Sequence, residues 1–91
     1  SLTHLAPFVR DSFFIYLISS LVDIEDYTEE EAKKLSDYYK YERKASINMD
    51  EEFKEKHPKV YRSTYKKTLK EVADGVQTFN YQVNSMTNTN G

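Results

Sequence analysis

Cysteine is missing from this chain altogether, and glycine and proline occur only twice each. Without cysteine there is no disulfide staple and no thiolate to bind metal or act as a nucleophile. That composition fits a reducing, intracellular compartment, cytoplasmic or nuclear. So little glycine and proline leaves little room for long loops. Charge is missing from one end, because no charged side chain follows Asp74. A long hydrophobic run is missing as well. The most apolar stretch, residues 13–22, falls well short of the about 20 residues that a membrane span requires, and extending it backwards meets Arg10 and Asp11. It has no basic region before it and no small-residue cleavage site after it, which argues against a signal peptide. Because the chain begins at Ser1, not at methionine, it is expected to be an excised or trimmed piece.

The motifs of catalysis are equally scarce. There is no glycine-rich phosphate loop, no nucleophile elbow and no histidine pair at metal-ligand spacing. The two histidines, His4 and His57, fall in a lead-in and at a corner, where they read as exposed loop residues. Glu29, Glu30 and Glu31 are consecutive, and consecutive helix positions point about 100° apart, so they do not converge on one ion. No catalytic residue, metal site or cofactor is expected, and the chain does not read as an enzyme.

What is present is helical pattern. Ninety-one residues make one small domain, and a chain of that length buries roughly 60–65% of its unfolded surface. The organising stretch is 13–22. On a helical wheel Phe13, Phe14, Ile15, Leu17, Ile18, Leu21 and Val22 sweep about two hundred degrees, leaving a narrow polar strip of Ser12, Ser19 and Asp23. A surface helix needs an apolar stripe only a little over about 100° wide, so this one must be packed from two sides. Helix one is predicted over 7–23, with Pro7 suited to its first turn.

Thr28 with Glu31 forms a capping box, which places helix two over 28–45 with Ala32, Leu35, Tyr39 and Tyr38 as its buried side. Asn48 or Asp50 caps a short turn at 51–56. The chain breaks at His57, and Pro58 opens helix three, predicted over 58–86. The apolar residues Tyr61, Tyr65, Leu69, Val72, Val76, Phe79, Val83 and Met86 form a stripe along it, and the last six, spaced 3, 4, 3, 4, 3, trace a heptad seam. A competing reading ends the helix at Gly75 and makes 78–83 a strand, which would need a partner molecule to pair with. Residues 87–91 read as a disordered tail. The expected architecture is all-α, a small three-helix bundle with a long C-terminal helix.

Charge is divided between two blocks. Residues 23–31 carry six acids and no base, while 54–70 carry seven bases against Glu55 alone. The blocks either fold against each other or face partners. Lys59, Arg62, Lys66 and Lys70 form one stripe of helix three, edged by Lys67, which could contact phosphate or an acidic partner. Tyr61 and Tyr65 fall on the seam side, where they cannot stack on bases held by that stripe. The seam carries the leading expectation. A helix over 58–86 is about 43 Å long, against about 25 Å for helix one, so its distal half overhangs. Val76, Phe79, Val83 and Met86, with Phe8 and Phe14, are therefore read as a protein interface, for self-association or for a protein partner. A nucleic-acid-associated or acidic-ligand-binding domain using residues 54–70 is the alternative.

Overall fold

A computed structural model describes residues 7–74, with side chains from Val9 onward. The fold is all-α. Its elements are α1 (Pro7–Glu25), α2 (Glu29–Asp37) continued by a π segment (Tyr38–Glu42), α3 (Glu51–Lys56) and α4 (Pro58–Ala73). The distal part of the expected long helix, including Val76, Phe79, Val83 and Met86, lies outside the described residues, as do the alternative strand, the tail and the side chain of Phe8.

α1 is the central element, packed by α4 on one side and by α2 on another. Phe13, Leu17 and Leu21 are completely buried and Phe14 nearly so, as the wide apolar sweep requires. Each such side chain contributes about 1.5–3 kcal/mol on burial. Helix α1 runs to Glu25, two residues past the expected end at 23, and closes with Asp26 at φ 64°. Phe14 is thereby a core residue and not part of a docking surface. It meets the ring of Phe13 edge-on at 5.3 Å, and the Arg10 guanidinium sits 5.1 Å over its own ring. The expected polar strip holds at Ser19 and Asp23, which are exposed, and fails at Ser12, which is 1% exposed.

The failure at Ser12 has a physical cause in α4. The face that α4 turns to α1 is Val60, Thr64, Thr68 and Glu71, all buried, at helical spacings of four, four and three. Small hydroxyl side chains on both helices make this contact polar. Ser12 Oγ donates to Glu71 Oε2 at 2.9 Å, Tyr16 OH donates to Glu71 Oε1, and Ser20 Oγ donates to Ser63 Oγ at 3.5 Å. Thr64 and Thr68 satisfy their hydroxyls within α4, on the carbonyls of Val60 (2.7 Å) and Thr64 (2.8 Å). Ser12 with Glu71, Ser20 with Ser63 and Glu25 with His57 fix an antiparallel register along the pair.

α2 begins at the predicted capping box. Thr28 Oγ1 accepts from the Glu31 N–H at 3.1 Å, and Glu31 Oε1 accepts from the Thr28 N–H at 3.0 Å. Ala32 and Tyr39 are buried and Leu35 half-buried, but Tyr38 is 43% exposed. Ser36 takes the remaining inward position, its hydroxyl donating to the Phe14 carbonyl at 2.7 Å. Helix two is shorter than the expected 28–45. Its last turn widens into the π segment, where the Arg43 N–H reaches the Tyr38 carbonyl, and the chain leaves through Lys44 at φ 52°. Asp50 is the next cap, Oδ1 accepting from the Phe53 N–H at 3.1 Å, and it seats Phe53 in the core with no exposure. His57 (φ −134°, ψ 58°) breaks the chain, and Pro58 starts α4, both as expected.

Candidate binding surfaces

α4 presents three faces. The inward one is the Val60–Thr64–Thr68–Glu71 line. The expected seam is not that line but its neighbour, displaced by one residue or about 100°. Tyr61, Tyr65 and Leu69 are half-buried, and Val72 is 38% exposed. Tyr61 lies 6.5 Å from Phe13 and 5.5 Å from Tyr65, with the Lys54 ammonium 5.3 Å over its ring. The Tyr65 hydroxyl reaches Asn48 at 3.5 Å. The seam thus begins on the α3 side and emerges toward solvent at Val72. Burial, with the phenol of Tyr65 and the carboxylate of Glu51 beside it, raises the Tyr61 pKa above the ordinary 10.0.

The third face is basic. Lys59, Arg62, Ser63, Lys66, Lys67 and Lys70 line a surface depression along α4. Among the described residues Lys59, Arg62, Lys66 and Lys67 make no ion pair, and Lys70 bonds to Asp74 four residues on, at 2.8 Å. The other two bases of the block are taken up locally. Lys54 pairs with Glu51 at 3.6 Å and Lys56 with Glu52 at 3.3 Å. The acidic block meets the basic one at a single point, the 2.7 Å contact of Glu25 Oε1 with His57 Nδ1. Asp23, Asp26, Glu29, Glu30 and Glu31 are exposed. The two blocks therefore do not neutralise each other within the chain.

His57 is not the exposed loop residue expected. Its side chain is 14% exposed, with its ring 4.9 Å from that of Phe53 at a tilt of 36° and edge-on to Tyr27 at 6.5 Å. It closes the corner where the C-terminal end of α1 meets the break before α4. Among the described residues no three His, Cys, Asp or Glu side chains gather as metal ligands, and no helix is long and apolar enough to cross a membrane.

Two groups with structural consequence were not singled out from the sequence. Arg10, the lone base on α1, donates from Nε to the Ala45 carbonyl at 2.8 Å and from Nη2 to the Lys40 carbonyl at 2.6 Å. It binds α1 to the end of the π segment. Asp11 adds an ion pair to Lys40 at 3.1 Å. Burial pulls the Lys40 ammonium down, but hydrogen bonds to Asp11 and Tyr41, with the Asp11 charge, leave it above the ordinary 10.5. Glu71 is the second, 7% exposed and held by Ser12 and Tyr16. Its phase with Val60, Thr64 and Thr68 was the available signal.

No protein-family model, curated protein or solved structure matches the chain. The functional reading accordingly rests on these surfaces.

Proposed function

We propose that this chain is a non-enzymatic helical interaction module that works through the seam of its C-terminal region, in the simplest case by pairing two copies. The supporting observation is the phase of α4. Its contact with α1 uses Val60, Thr64, Thr68 and Glu71, so the seam is only partly used within the bundle, through Tyr61 and Tyr65, and it reaches 38% exposure at Val72. In the sequence the same spacing continues through Val76, Phe79, Val83 and Met86, with no charged residue after Asp74. Four large apolar groups left in water forgo about 1.5–3 kcal/mol each relative to burial, which is the driving force for a partner. Closed two-fold pairs are the commonest oligomers. Light scattering after size exclusion tests the reading. Val72→Asp and Val83→Asp are expected to lower the mass toward the monomer, while Arg62→Gln, on the basic face, leaves it unchanged. A monomer for the unaltered chain at all concentrations contradicts pairing.

A second reading is favoured by the basic face. Four cations without ion-pair partners among the described residues line one depression, which supports binding of an anionic ligand, whether nucleic acid or an acidic partner.

A further inference from the structure

Resting on that second reading, we infer that the basic face of α4 binds the phosphate backbone of duplex nucleic acid and does so without reading its sequence. The first support is the composition of the depression. Every described residue lining it is a lysine, an arginine or a serine. A protein-binding surface of useful strength has an apolar or aromatic anchor near its centre, and here there is none. Phosphate oxygens need only cations and hydroxyl donors.

The second support is the way the charges are spread. Lys59 and Lys70 are eleven residues apart on one straight α-helix, about 16 Å at 1.5 Å per residue. Arg62, Lys66 and Lys67 lie between them on the same side. The cations are therefore strung out along the helix and do not converge, which suits a ladder of charges better than one small anion. A line of charge about 16 Å long can lie against several phosphates of a duplex, which carries one negative charge per about 1.7 Å of its axis.

The third support is where the aromatic rings are. Binding of single strands generally uses exposed rings on which bases stack. Tyr61 is covered by Lys54 and Tyr65 reaches Asn48, both on the α3 side. Neither ring is presented beside the depression, so the backbone of a duplex is the better match than a splayed single strand. The acidic block touches α4 at its start, through Glu25 on His57. Lys66 and Lys67, far from it along the helix and without an ion pair among the described residues, are thus expected to contribute most, while Lys70 is shared with Asp74.

The test is fluorescence anisotropy of the full chain with two unrelated labelled DNA duplexes of twenty base pairs, titrated between 50 and 200 mM salt. The two duplexes should bind equally, since no base is read. With four cations engaged, those unpaired among the described residues, the slope of log affinity against log salt is expected near −3.6, a roughly 150-fold loss across that range. Arg62→Gln with Lys66→Gln should flatten the slope by about 1.8, with the helical circular dichroism unchanged. Lys33→Gln with Lys34→Gln, on the exposed side of α2, should leave it as it was. Fluorescent polyglutamate is the comparison ligand. Binding of polyglutamate without DNA overturns the nucleic-acid proposal and leaves the anionic-ligand reading standing. Binding of neither overturns both. DNA binding that ignores the Arg62 and Lys66 changes also overturns the proposal, because the contact then lies elsewhere.

Discussion

Arg10 shows what one charged residue on an apolar helix can do. Helix ends leave carbonyls without intrahelical partners, and the π segment ends at the surface within reach of Arg10 on α1. The guanidinium supplies two donors in a fixed fork, one to Lys40 and one to Ala45, while its face covers the Phe14 ring. Hydrogen bonds from charged donors contribute about 1.5–3 kcal/mol. Arg10→Ala is therefore expected to lose roughly 2–3 kcal/mol in urea unfolding. Arg10→Lys should recover only part of that, because an ammonium cannot reproduce the fork. A loss below about 0.5 kcal/mol, the range of ordinary surface changes, contradicts the role. The residue-scale titrations point one way. Burial, then the charges of Asp50 and Glu52, raises Tyr39 above 10.0, as Tyr61 is raised, and Lys40 lies above 10.5. Each binds its proton more tightly folded than unfolded, so its contribution is complete below about pH 10 and is lost as pH rises through the native value. Stability should therefore fall above pH 10. Tyr39→Phe, which cannot ionise, should make that fall shallower in alkaline unfolding curves, and an unchanged slope contradicts the assignment.

At the scale of elements, the sequence reported types and starts better than faces and ends. The capping box, the Asp50 cap and Pro58 are local chemistry, and each stands where it was read. The end of helix two was not legible, because a π turn depends on where Arg10 and Asp11 hold the carbonyl and ammonium of Lys40. Lys44 at φ 52° and Met49 at φ 55° make the following corner without glycine, so the usual stop signal was absent. The face of α4 was misread by one residue for another reason. Aromatic and aliphatic residues outweighed Thr64 and Thr68 in the periodicity, yet the two threonines are buried, satisfying their hydroxyls on their own helix. Small side chains let α1 and α4 approach closely. Hence Thr64→Val, which keeps the size and loses only the hydroxyl's bond to the Val60 carbonyl, is expected to cost about 0.5–1.5 kcal/mol. Ser20→Leu, which does not, should cost about 1–3 kcal/mol. Thermal unfolding of the two variants checks the ordering, and a reversed order contradicts a size-limited contact.

For the whole molecule, the fold separates three surfaces along one helix. α4 gives its hydroxyl and carboxylate line to α1, its cations to the solvent, and its seam to neither completely. The basic face was legible as a stripe at 59, 62, 66 and 70, with 67 at its edge, and the depression adds Ser63 to them. The core positions of α1 were legible too, because a helix apolar on most of its circumference has to be central. Phe14 was not, since periodicity says a residue is apolar but not which neighbour covers it. The measurement that tests the central claim most directly is sedimentation equilibrium of the unaltered chain beside Phe79→Asp, at low salt and at 0.5 M. An oligomer that survives the salt and becomes a folded monomer on the substitution is the expected result. A folded monomer for both chains at both salts contradicts pairing through the seam.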